Sequence, residues 1–145
     1  MKKTGAKHKV YIPGKYVLDR MPIKRVDQDT LAIRFHSAMA MFTRGYGSRE
    51  HWQTLADAVN VSLNLCEIQG LMPDALADVH AARDAMVSCR DRYKTIGKWG
   101  MTGDEMQAVK LAVTLYDEQN TRATLSQQMF ALADVAVRKE MGDVR

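Results

Sequence analysis

Between Asp29 and Thr43 apolar residues return every three to four positions. Leu31, Phe35, Ala38, Met39 and Phe42 therefore share one face of a helix, and Gly45 and Gly47 stop it. Ser48 is a good N-cap for a second helix, with Glu50 placed to meet the positive end of its dipole. The apolar row of that helix runs through Trp52, Leu55, Val59, Ser62 with Leu63, and Cys66, and Gly70 suits its C-terminal cap. Pro73 fits the first position of a third helix, with Asp74 just inside it. Leu76, Val79, Met86 and Tyr93 mark its buried stripe, and Gly97 and Gly100 close the region around Trp99.

A fourth helix has the plainest start. Thr102-Gly-Asp-Glu105 is a capping box, in which hydroxyl and carboxylate satisfy each other's backbone donors. Met106, Val109, Val113 and Tyr116 follow at helical spacing, and the pattern runs on through Ala123, Phe130, Ala133 and Val137 to Met141. Unbroken, this helix would be roughly 58 Å long against roughly 33 Å for the second. The polar stretch Asp117 to Arg122 is the expected break, with Thr124 and Gln127 re-capping a fifth helix. A helix that did not break would overhang the bundle and pack on a second copy. A homodimer is the expected assembly. The reading is all-α: a four- to five-helix bundle over residues 26–145, preceded by an extended basic arm over residues 1–25.

The arm has a different pattern. Val10 to Leu18 reads as two short extended pieces around Pro13-Gly14. Pro-Gly does not form the primed turns that two-residue hairpins prefer, so an extended strip over the body or a partner competes with a hairpin. Lys2, Lys3, Lys7, Lys9, Lys15, Arg20, Lys24 and Arg25 stand against Asp19 alone, a net +7. The other 120 residues hold 13 basic and 16 acidic side chains, so the excess charge belongs to the arm. Such density attracts phosphate, and Tyr11 and Tyr16 are placed to stack on bases. The ten residues Lys2, Lys3, Lys7, Lys9, Tyr11, Lys15, Tyr16, Arg20, Lys24 and Arg25 are the candidate nucleic-acid contacts. The competing reading is a solvated tail.

With 145 residues, 46% hydrophobic, the chain fits one domain with an adequate core. Ten methionines beside Ala, Leu and Val suit helical packing, where Met fills irregular gaps. No run approaches the roughly 18 apolar residues of a membrane span, and no apolar stretch backs Lys2 and Lys3 as in a signal peptide. The expectation is a cytoplasmic protein with no membrane contact. Cys66 and Cys89 match no zinc or redox spacing. In a hairpin turning at 70–73 they lie roughly 18 Å apart along the helices, too far for a disulfide, so two free buried thiols are expected.

Motifs for catalysis are scarce. His8, His36, His51 and His80 include no H-E-x-x-H or Glu-x-x-His pair. His80, Asp84 and nearby Asp78 share a helix side without a third ligand to complete a metal site, and an exposed polar face explains them better. His51 beside Trp52 reads as a packed or capping histidine. Asp104/Glu105 and Asp117/Glu118 are sequence neighbours, which point to different sides of a helix. No nucleophile elbow, P-loop or glycine-rich dinucleotide turn occurs. No catalytic residue, metal or cofactor is expected, and the chain reads as non-enzymatic. Leu55-Ala56-x-x-Val59-Asn60-Val61-Ser62 imitates the start of a helix-turn-helix. Its recognition helix, Ser62 to Gln69, would carry Leu63, Asn64 and Glu67 outward and no Lys or Arg, so a plain continuous helix is preferred.

Three stretches carry a family likeness. His51-Trp52-x-x-Leu55-Ala56-Asp57-Ala58-x-Asn60, Gly97-x-Trp99-x-x-Thr102-Gly103-x-Glu105 and Leu115-Tyr116-Asp117 resemble a group of small helical proteins encoded in proteobacterial phages and plasmids. The resemblance spans roughly residues 50 to 120. It implies a mobile-element accessory protein that acts by binding, and it implies no site residues. Two versions follow. In one, the arm holds nucleic acid while the bundle dimerises or adds a second contact. In the other, the bundle surface binds or inhibits a host or phage protein and the arm orders on that partner.

Overall fold

A computed structural model of the chain describes residues 25–140 and, within them, the side chains of residues 30–139. The described residues form five α-helices and no strand: α1 (Arg25–Thr43), α2 (Arg49–Leu63), α3 (Leu76–Ile96), α4 (Gly103–Arg122) and α5 (Leu125–Glu140). A π-helical turn, Asn64–Ile68, extends α2, and a 3-10 turn, Pro73–Ala75, leads into α3. The all-α expectation holds. The Pro-Gly turn and residues 1–24 of the arm lie outside the described residues. Arg25, assigned to the arm, instead opens α1, four residues ahead of the expected start at Asp29.

Local chemistry sets the helix ends as the sequence predicts. Ser48 is extended, and its Oγ accepts from the His51 backbone N–H at 3.3 Å. Thr102 and Glu105 form both bonds of the capping box. Gly97 ends α3 in the left-handed region, its N–H donating to the Tyr93 carbonyl at 2.7 Å. The α2 row does not turn at Asn60–Ser62 but stays helical into the π turn. No helix-turn-helix forms, and Asn64, outward in that reading, is buried.

Helices α1 to α4 make the bundle, with α2 and α4 central: α2 packs against the other four helices and α4 against α1, α2 and α3. Phe35, Met39 and Phe42 from α1, Trp52, Leu55 and Val59 from α2, Val79 and Met86 from α3, and Val109, Val113 and Tyr116 from α4 fill one continuous core. Phe35 meets Tyr116 edge to face with centroids 5.3 Å apart. Burial of Tyr116, with Asp117 adding to it, pushes its phenol pKa to about 12. Truncating a side chain as enclosed as Leu55 would cost about 2–5 kcal/mol. One member of the expected stripe departs: Tyr93 is exposed, its ring stacked at 4.0 Å on Trp99, which itself packs against core Trp52.

The far end of the bundle is polar inside. Ser62 Oγ donates to Gln119 Oε1 at 2.7 Å, and Gln119 Nε2 donates back to the Ser62 carbonyl at 3.2 Å. The stretch Asp117–Arg122 therefore stays helical, since its Gln119 faces inward to a partner on α2. The break falls just after it, at Ala123–Thr124. There the second capping box forms as expected: Thr124 N–H donates to Gln127 Oε1 at 2.9 Å, and Gln127 N–H to Thr124 Oγ1 at 3.1 Å. Helix α5 turns back over α2 and the π turn. The overhang that would have seated a second copy does not exist.

Cys66 and Cys89 are free and buried, as expected. Each thiol donates to a carbonyl at 3.1 Å, Cys66 to Met72 and Cys89 to Gly100. Burial raises both thiol pKa values, so neither is a ready nucleophile. Among the described residues no helix is long and apolar enough to cross a membrane.

Candidate nucleic-acid interface

Helix α1 leads directly out of the basic segment, and its outer side forms a groove with α4. The groove encloses about 390 Å³ and is lined by His36, Met39, Ala40, Thr43 and Arg44 from the α1 side and Lys110, Val113 and Thr114 from α4. Positions 36, 40 and 43 of α1 and 110, 113 and 114 of α4 recur at helical spacing, so two parallel stripes face each other across it. No carboxylate lines the groove. His36 Nε2 lies 2.7 Å from Asp117 Oδ2, which engages the imidazole at one end. Arg44 and Lys110 are exposed and have no ion-pair partner among the described residues. Arg44 lies one residue past the end of α1 and Lys110 on α4.

Immediately after Arg44 comes Gly45-Tyr46-Gly47-Ser48-Arg49, the connection to α2. Arg49 is also exposed without an ion pair among the described residues. The sequence marks this stretch as a helix stop at Gly45 and Gly47 followed by the Ser48 N-cap. A signal that reading leaves out is an aromatic residue between two arginines in a glycine-rich turn. Lys110 had no signal at all, because its position opposite Arg44 depends on the packing of α4 against α1.

A second cleft, of about 140 Å³, lies between the π turn, α3 and α5. It also carries three cations, Arg83, Arg138 and Lys139, but Glu67 and Asp134 share its lining. Asp134 Oδ2 accepts from Asn64 Nδ2 at 2.9 Å and from Arg138 Nε at 3.1 Å, and Lys139 Nζ reaches Asp57 at 3.1 Å. Gln69 ties the same corner, donating to Asn64 Oδ1 at 2.7 Å and to the Gln127 carbonyl at 3.0 Å. The Asn64 and Gln69 bonds hold α5 against the π turn and the Lys139–Asp57 pair holds it against α2, while Arg138 pairs within α5. In the groove, the more open of the two, Arg44 and Lys110 have no ion pair among the described residues.

The remaining candidates take the bland roles expected of them. His51 Nδ1 lies 3.0 Å from Ser48 Oγ at the α2 N-cap, a capping histidine. His80 is 3.9 Å from Glu67 at the surface. Among the described residues no group of three His, Cys, Asp or Glu could hold a metal ion. Of the ten sequence-predicted contacts, Lys2, Lys3, Lys7, Lys9, Tyr11, Lys15, Tyr16, Arg20 and Lys24 lie outside the described residues, and Arg25 is placed only as backbone of α1. No known protein family, curated protein or solved structure matches the chain.

Proposed function

We propose that this chain is a non-enzymatic nucleic-acid-binding protein, in which the basic segment and the α1–α4 groove each attract phosphate. The observation that carries the reading is the groove lining, which among the described residues holds Arg44 and Lys110 without an ion pair and contains no carboxylate. It lies on the helix that continues from the +7 segment. Cations left unpaired on a packed surface lose no internal bond when phosphate arrives, and each phosphate neutralised releases counterions from the nucleic acid. Under this reading the chain is an accessory or regulatory protein of a phage or plasmid, the setting its resemblance implies.

The test is binding of labelled oligonucleotides across a salt series by three full-length proteins: the wild type, a variant with Lys2, Lys3, Lys7, Lys9 and Lys15 changed to Gln, and Arg44→Ala/Lys110→Ala. Micromolar affinity that falls steeply with salt is expected for the wild type. The groove variant should flatten the slope of log K against log salt by roughly 1.4 to 1.8, at about 0.7 to 0.9 per lost phosphate contact. Weak binding with the same shallow slope in all three proteins would rule the reading out.

A protein-partner reading has one observation in its favour. Met129, Phe130 and Leu132 of α5 are each 40% exposed, although Phe130 and Leu132, two positions apart, point to different sides of the helix. Three part-exposed side chains fall well short of the roughly 800 Å² per partner of a standard interface, so a second copy or another protein would be held there only weakly. Light scattering over a concentration series tests for a dimer, and Leu132→Asp should abolish any that forms through α5.

A further inference from the structure

The α1–α2 connection presents Tyr46 in an unusual way. Its backbone is a closed Schellman motif: Gly45 sits at φ +84, its N–H donates to the Phe42 carbonyl at 3.1 Å, and the Tyr46 N–H donates to the Met41 carbonyl at 2.8 Å. Gly47 closes the loop down on the core. A Cβ there would lie 2.5 Å from the Phe42 ring, itself a fully enclosed core side chain. The loop is thus short, hydrogen-bonded and clamped. In such a motif the residue after the left-handed glycine usually packs its apolar side chain back on the helix. Tyr46 is instead 69% exposed, the most exposed of the large hydrophobic side chains among the described residues. Arg44 and Arg49 flank it, both exposed and without an ion pair among the described residues, and Arg44 also lines the groove.

We propose that Tyr46 is a stacking platform for an unpaired base of a single-stranded nucleic acid, with Arg44 and Arg49 taking the adjoining phosphates. This rests on the nucleic-acid reading above and names the class of nucleic acid. The clamped turn fixes the backbone that carries the ring, so binding a base need order only the Tyr46 side chain. Only an unpaired base can turn a free face to the ring, because bases in a duplex already stack on their neighbours. Any base serves, since each has a π-face, so the platform selects strandedness over sequence. Lys110 and Arg44 then extend the phosphate track along the groove.

The experiment compares the full-length wild type with Tyr46→Ala and Tyr46→Phe, using fluorescence anisotropy on oligo-dT, oligo-rU and a duplex of equal length at one salt concentration. The side chain is at the surface, so both variants should fold, and circular dichroism melting checks this. Tyr46→Ala should weaken binding to both single strands about 5- to 150-fold, the range for loss of one stacked base. Tyr46→Phe should bind them as the wild type does, and all three proteins should bind the duplex equally. Single-strand affinity unchanged by Tyr46→Ala, with Arg44→Ala/Lys110→Ala still weakening binding, would overturn the platform and leave the broader reading standing. An equal loss on duplex and single strands would also overturn it. No binding to any of the three probes by the wild type would remove both.

Discussion

The two clefts of this molecule hold similar positive charge and use it in opposite ways. At the π-turn cleft, Asp134 accepts from Asn64 of the π turn and Lys139 reaches Asp57 of α2, two bonds that fasten α5 to the bundle, while Arg138 pairs with Asp134 within α5 and Arg83 has no ion pair among the described residues. In the α1–α4 groove, Arg44 and Lys110 have no ion pair among the described residues, and Asp117, the carboxylate at its end, is engaged by His36. Paired polar groups are fold-holding, and unpaired ones are available to a ligand. If that division is right, substitutions at the two places should differ in kind: stability with little effect on binding at the polar end, binding with little effect on stability at the groove.

The largest effect should come from the buried pair at the polar end. Gln119 and Ser62 have no exposed surface and bond to each other twice. Gln119→Ala would leave the Ser62 hydroxyl without its acceptor in a dry interior and open a cavity beside it. The expected cost is about 2–4 kcal/mol in urea denaturation. Replacing both partners by apolar residues, Ser62→Ala with Gln119→Leu, should recover most of that loss, because no polar group is then stranded. A single variant costing under about 0.5 kcal/mol would show that the polar end is not where paired groups hold the fold.

A smaller, pH-dependent effect is expected at Glu105. Burial works to raise its pKa, but Arg92, bonded through both carboxylate oxygens at 3.0 and 2.6 Å, and the Thr102 N–H at 2.9 Å outweigh it, and the net pKa is lowered. A carboxylate whose folded pKa is depressed stabilises the fold above its unfolded pKa, and that stabilisation is lost as pH falls through the folded value. Glu105→Gln should therefore be less stable than the wild type by about 1.5–3 kcal/mol at neutral pH. The gap should close once the pH drops below the ordinary carboxylate range, and thermal melts at several pH values would show it. A gap that persisted in acid would mean that the shape of the cap matters and its charge does not.

Much of this was legible in the sequence, for local reasons. The two capping boxes, the Ser48 cap, the helix stops and the free cysteines depend on residues a few positions apart. So does the end of α4, although its polar stretch was assigned to the break. Asp117–Arg122 reads as a surface turn only if polar means exposed; Gln119 is polar and buried because Ser62, 57 residues earlier, faces it. The π turn and the placement of α5 were not legible for the same reason, since both rest on Asn64 meeting Asp134 across 70 residues. The groove was out of reach because it exists only between helices. The sequence reading looked for function in the net charge of one segment, whereas the described site depends on where carboxylates are missing from a packed surface.

The smallest effects test the division most directly, because the same chemical change should have opposite signs at the two clefts. Lys139→Ala removes a cation that has Asp57 at 3.1 Å, an exposed pair worth about 0.2–1 kcal/mol. The melting temperature should fall slightly at low salt, and less so at high salt, where screening has already weakened the pair. Arg44→Ala/Lys110→Ala removes two cations with no such partner from a chain of net charge +4. Only mutual repulsion is lost, so melting should be unchanged or slightly raised at low salt, and the difference should vanish as salt is added. A drop in stability for the groove variant as large as that for Lys139→Ala would mean that Arg44 and Lys110 serve the fold after all, and the groove would lose its claim to be a surface kept for phosphate.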